Sequence, residues 1–285
     1  MKSTWSKEKF NIAGDEIDQV IDEAMSRLEK HLVGLFWRFD AQELKEKNLP
    51  FGVVKETGAG FLVEYRRRFF IATCGHNLTE DPPLVYLGPH HPILPLESVQ
   101  KTDGHLVALH DGTLDVGFVE VDPGFIKGTR ARFYALPALN YDEMIDSKER
   151  LLCSMGYPAK VAKLERNRRE TPSGIVLPAS QELVVQSIAF AKAYWTDVFD
   201  SEDGHFKCTN RNLKLSEPDE LLDMDGFSGG PLFIVSDCSA FEGDSSGLSW
   251  VGIQSSQLLD GEKSYARFQS LRRWKALLDE TLAKE

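Results

Sequence analysis

The chain has 285 residues and a formal net charge of −11, from 33 lysines and arginines against 44 aspartates and glutamates. That acidic surplus excludes the basic footprint needed to neutralise a nucleic-acid backbone. With 42% hydrophobic and 27% charged residues, the composition suits a packed core and argues against global disorder. The length is about twice that of a usual domain, so two domains or one large β-rich domain are expected. No apolar run is long enough to span a bilayer, and Met1–Gly14 lacks the apolar segment of a secretory leader, so the expected location is the cytoplasm.

In chain order, the first predicted element is a helix over Asp15–Arg38. Ile17, Val20, Ile21, Ala24, Met25, Leu28, Leu32, Leu35 and Phe36 trace one stripe at 3.6-residue spacing, and acidic residues fill the first turns. Residues 1–50 therefore read as a helical extension that packs on the main body or docks a partner protein. After Pro50 the texture changes to short apolar runs bounded by Gly, Pro and Asp, which read as strands. They include Gly60–Tyr65, Phe69–Thr73, Val116–Val121, Leu151–Met155, Leu183–Ser187, Pro231–Val235 and Trp250–Ile253. Leu62–Phe70 reads as a hairpin with Arg66, Arg67 and Arg68 at a solvated tip. Leu271, Trp274, Leu277, Leu278 and Leu282 share one face of a final helix. The expected class is mainly β, with a first unit over 51–140 and a second over 141–285.

The segment Asp225-Gly-Phe-Ser-Gly-Gly-Pro-Leu232 carries the most chemistry. Its glycines let the backbone turn sharply and aim the amides of Gly226 and Ser228 inward as an oxyanion hole beside a nucleophilic Ser228. A serine nucleophile needs a base. His31 lies on the predicted helix, His90 and His91 in a Pro-rich loop, and His105, His110 and His205 in polar loops, so all six read as surface residues. His76 differs, because it follows the apolar strand Phe69–Thr73 directly and would be held rigidly. Asp115 opens the apolar strand Asp-Val-Gly-Phe-Val-Glu-Val121 and is the candidate carboxylate that orients the imidazole.

Taken together, His76, Asp115 and Ser228 in this order resemble the trypsin/chymotrypsin-like serine peptidases. Phe70-Ile-Ala-Thr-Cys-Gly-His76 is similar to that family's His strand, Leu114-Asp-Val-Gly-Phe118 to its Asp segment, and Gly226-Phe-Ser-Gly-Gly-Pro231 to its G-x-S-G-G-P. Gly156-Tyr-Pro158, Gly252-Ile-Gln-Ser255 and the final helix add weaker likenesses, so the resemblance covers roughly Gly58–Ala283. It implies two six-stranded antiparallel β-barrels with the triad between them, and a hydroxyl bond from Ser255 to Asp115. It further implies a substrate pocket with Leu222 at its floor and Ser256 and Gln257 on its walls, suited to a small or medium uncharged side chain. The chain departs from the family at Cys74-Gly75 before the histidine, at Asn77 where secreted members carry a half-cystine, and at Phe227 before the nucleophile. The 113 positions between Asp115 and Ser228 imply an insertion, placed over Tyr194–Asp219.

Other chemistries fit poorly. Cys74, Cys153, Cys208 and Cys238 include no C-x-x-C pair, so neither zinc nor a disulfide framework is expected. Aligning Asp223–Gly226 with a calcium loop puts Leu221 at the first ligand position, and no nucleotide-binding glycine motif occurs. The expectation is a serine endopeptidase acting on protein or peptide substrates without metal or cofactor. By family habit it could be regulated in an intracellular stress or defence pathway. The alternative is a non-catalytic trypsin-like module that binds peptides or a partner.

Overall fold

The computed structural model describes residues 27–49, 54–79, 81–88, 91, 93–111, 114–136, 151–157, 163–166, 169–170, 176–177, 182–185, 189–193, 205–209, 213–214, 226–235, 248–260 and 263–285. Several strands of the second half are described by their backbone alone.

The first sheet is built from β1 (Leu32–Arg38), β2 (Val54–Tyr65), β3 (Arg68–Thr73), β4 (Leu84–Tyr86), β5 (Leu94–Pro95), β6 (Leu106–His110), β7 (Asp115–Glu120) and β8 (Tyr134–Ala135). Its order is β5-β4-β1-β2-β3-β7-β6, with β8 joined in parallel to β2 and every other ladder antiparallel. β2 shows why such a strand is stable. Ala59, Phe61 and Val63 face one core and Leu62 the other, the alternation a pleated strand imposes.

Further along lie β9 (Leu151–Gly156), β10 (Lys163–Arg166), β11 (Arg169–Glu170), β12 (Val176–Leu177), β13 (Glu182–Val185), β14 (Ala189–Ala193), β15 (His205–Thr209), β16 (Leu213–Lys214), β17 (Pro231–Val235), β18 (Leu248–Asp260) and β19 (Lys263–Ser270). The second sheet runs β15-β19-β18-β17-β9-β14-β16, while β10 pairs β13 and β11 pairs β12. The helix Leu271–Leu282 closes the chain, with the Ser270 hydroxyl accepting from the Arg273 amide at its start. One core joins the two sheets: Phe61, Phe70 and Phe118 from the first meet Phe233, Trp250 and Trp274 from the second half. No described helix is long and apolar enough to cross a membrane.

Three expectations are corrected here. The helix predicted over Asp15–Arg38 does not reach Arg38, because Leu32–Arg38 is β1 and pairs with both β2 and β4. Leu32-Val-Gly-Leu-Phe-Trp37 is apolar at every position but the glycine, and β1 is covered on both faces, so neither helical nor strand periodicity governs it. Leu32–Arg38 is therefore no part of a helix, and residues 15–26 lie outside the described residues. The ladders also run as two open paths of seven strands among the described residues, with β8 branching from β2 in the first sheet, so closed six-stranded barrels are not what they form. β1 adds a strand to the first sheet, and the supposed polar insertion supplies β15 and β16 to the second. Arg68 is no solvated tip residue either. It opens β3 and pairs with the buried Glu120 and with Glu285.

Candidate active site

β3 ends at Thr73, and Gly75 then turns the chain into the short helix His76–Thr79. Gly75 is forced by space: a Cβ there would lie 2.0 Å from the Leu109 carbonyl oxygen. That close approach seats His76 at the end of β6. Asp115 opens β7 and is buried, its backbone paired with His110 across the β6–β7 ladder. The carboxylate grips its neighbour twice. Asp115 Oδ1 accepts from the His76 amide at 2.9 Å, and Oδ2 lies 2.7 Å from His76 Nδ1. Facing the carboxylate, Nδ1 is the ring nitrogen that donates, which leaves Nε2 as the acceptor of the neutral ring. Burial pushes the Asp115 carboxyl up, but the hydrogen bonds and charge of His76 and the charge of His110 more than offset it. The group stays below its ordinary range and remains an anion.

Ser228 sits on the Gly226–Gly230 turn that leads into β17. Gly226 and Gly229 have φ of 90° and 88°, conformations that L side chains resist. A Cβ at Gly226 would lie 1.8 Å from the Tyr157 carbonyl oxygen, and one at Gly229 would lie 2.0 Å from that of Ala59. The turn is fixed at both ends: Tyr157 N donates to Gly226 O at 2.9 Å, and Gly229 N donates to Gln254 O at 2.8 Å. Ser228 O accepts from Ala59 N at 2.7 Å and from the Asn77 amide nitrogen at 2.9 Å. Asn77 also donates to Thr73 Oγ1, so the residue after the histidine is bonded to the backbone of the serine. Among the described residues, neither the Gly226 nor the Ser228 amide has a hydrogen-bond partner. The Ser228 hydroxyl donates to Ser255 O at 3.4 Å.

The residues that sequence reasoning proposed divide as follows. His76 and Asp115 are bonded to each other, and Ser228 is held to the same turn through Asn77. Ser255 does not donate to Asp115. A bulge between Gln254 and Ser256 turns its hydroxyl to Arg267 O at 3.2 Å. Ser256 is partly exposed on β18; Gln257 is placed there by its backbone alone, and Leu222 lies outside the described residues. Cys74 is buried behind the base, with its thiol on Gln254 O, and burial together with the Asp115 charge pushes it well above the ordinary thiol range. It is no nucleophile.

Two residues escaped the reading. Asn77 was noticed only as a missing half-cystine, although a buried carboxamide beside a candidate base signals anchoring. His110 was set aside as a surface residue, yet its Nδ1 lies 3.3 Å from Asp115 Oδ1. The hairpin spacing from His110 to Asp115 was the available signal.

No protein-family model matches this chain, and no curated protein matches it. Among solved structures, the crystal structure of a thermostable serine protease, AL20, from an extremophilic microorganism is similar at 12% identity, over 85% of this chain and 91% of that one, with a TM-score of 0.38. An overlap that loose does not define a shared fold, so the chemistry rests on this chain's own residues.

Proposed function

We propose that the protein is a serine endopeptidase that cuts peptide bonds through an acyl-enzyme on Ser228. His76 Nε2 takes the proton as Ser228 Oγ attacks the scissile carbonyl, and it returns that proton to the leaving amine. Asp115 holds the imidazole in the required tautomer and stabilises its charged form. The amides of Gly226 and Ser228 receive the oxyanion, a contribution of several kcal/mol at such sites. Water then releases the acyl group by the same steps in reverse roles. The observation that carries this reading is the double grip of Asp115 on His76, at 2.9 and 2.7 Å, with the strained glycine turn of Ser228 tied to the next residue, Asn77. The acyl-side pocket is proposed to take small or medium uncharged side chains.

One observation favours a non-catalytic peptide-binding module instead: the Ser228 hydroxyl is engaged with Ser255 O. Labelling with a fluorophosphonate probe separates the two. A peptidase takes up one probe per chain at Ser228 and loses it in Ser228→Ala, whereas an unlabelled wild type that still binds peptides rejects the peptidase reading.

A further inference from the structure

The carboxylate of Asp115 carries a second histidine that the triad does not use. β6 and β7 pair so that His110 stands directly across from Asp115. His110 Nδ1 lies 3.3 Å from Asp115 Oδ1, the same oxygen that accepts the His76 amide. The rings of His76 and His110 meet edge-on, with centroids 5.7 Å apart. His110 is half exposed while Asp115 is sheltered, at 50% and 12% of their side chains. Protons thus reach His110 from solvent while the carboxylate beside it stays covered. Gly75 permits this arrangement, since any side chain there would push β6 away from the His76 turn.

We propose that His110 is a positioning residue that ties the proton affinity of His76 to its own charge, through the carboxylate they share. For its catalytic consequence this rests on the peptidase reading; the coupling between the two imidazoles does not. A protonated His110 draws on the field of Asp115 that would otherwise stabilise a His76 imidazolium. It also repels that imidazolium directly. Both effects disfavour protonated His76, so a charged His110 keeps His76 a free base down to lower pH. With full water screening, a unit charge on a ring 5.7 Å away moves its neighbour by about half a pH unit. His110 faces Asp115 across the ladder and His76 on the turn after β3, with Asp111 next in the chain, and the Cys74 thiol lies within 4.8 Å of the His76 and Asp115 polar atoms. Cys74 stays protonated, and Asp115 stays an anion. That leaves the two imidazoles facing one shared carboxylate.

An NMR pH titration of both imidazoles in the full chain tests this, in wild type, His110→Gln and His110→Lys. The neutral His110→Gln raises the His76 midpoint by about half a unit, and the permanent cation of His110→Lys leaves it at or below wild type. The acid limb of kcat/KM moves in the same directions. Equal His76 midpoints in all three proteins, or a downward shift in His110→Gln, would overturn the coupling. Should His110→Lys fail to fold, the sign of the shift in the half-exposed His110→Gln decides alone. Midpoints that move as expected in a protein that neither cleaves peptides nor takes the fluorophosphonate keep the coupling and remove the peptidase reading.

Discussion

Asn77 does at the scale of one residue what a covalent cross-link does elsewhere: its buried carboxamide joins Thr73 on β3 to the backbone of Ser228. The lack of a half-cystine was legible in the sequence, but which atoms replace it was not, because the Ser228 carbonyl lies 151 positions away. Asn77→Ala removes one bond each from the Thr73 hydroxyl and the Ser228 carbonyl, which keep their bonds to the Ala59 backbone, at a cost of about 1 kcal/mol. Chemical denaturation is expected to show that loss, together with a fall in kcat under the proposed mechanism, since the turn that carries Ser228 shifts. Gly226→Ala is more severe. Its φ of 90° and the Tyr157 carbonyl leave no room for a methyl group, so the amide proposed to receive the oxyanion must move. Turnover is expected to drop about a hundredfold or more, with probe labelling of Ser228 slowed in parallel. A Gly226→Ala protein with wild-type kcat would remove Gly226 from the oxyanion hole.

Among elements, the β2–β3 hairpin was read correctly and its chemistry only in part. The turn uses Arg66 and Arg67 at φ of 50° and 63°, the left-handed pair that a two-residue hairpin requires. Glycine suits the second position far better than arginine, so Arg67→Gly is expected to raise stability by about 0.5–1 kcal/mol. Arg66 is the wrong target, because its guanidinium lies 3.1 Å from Asp279 on the last helix. A higher denaturation midpoint for Arg67→Gly would bear this out, and a lower one would mean that Arg67 holds a contact worth more than the strain. The same scale explains what was misread. β3, β7 and β17 were legible because each is a short apolar run stopped by Gly, Pro or Asp. β1 was not, because a strand buried on both faces has no polar face to set its period. His110 is exposed as read, and only its contact with Asp115 was missed, because the ladder that sets the two opposite each other is not visible in a polar stretch.

For the whole molecule, two buried groups outside the candidate site make the fold sensitive to acid. His31, assigned to the surface from sequence, is buried with its ring edge-on to Phe61 and Tyr134 and its Nδ1 donating to the Arg132 carbonyl at 2.8 Å. Burial lowers it to about 4, the Arg132 bond only partly opposing this. The unfolded chain therefore binds a proton at His31 from about pH 6.5 downward that the folded chain refuses until about pH 4. Folding stability must fall as pH drops through that window, by about 3 kcal/mol in total. Glu120 acts lower down. Burial alone would raise its carboxyl, but Arg68, Lys101 and the His105 amide hold it as an anion and bring it to about 2. Its contribution is complete above the ordinary carboxylate range and is lost between about pH 4.5 and 2. Acid unfolding should therefore proceed in two successive losses, the first due to a histidine and the second to a carboxylate. Urea denaturation at intervals from pH 7 to pH 3 measures both. In His31→Gln the curve is expected to lie flat from pH 6.5 to pH 4.5, at a lower plateau, and then to fall with wild type as Glu120 protonates. If wild type and His31→Gln lost stability in parallel across that first window, the buried imidazole would not be the group that titrates there.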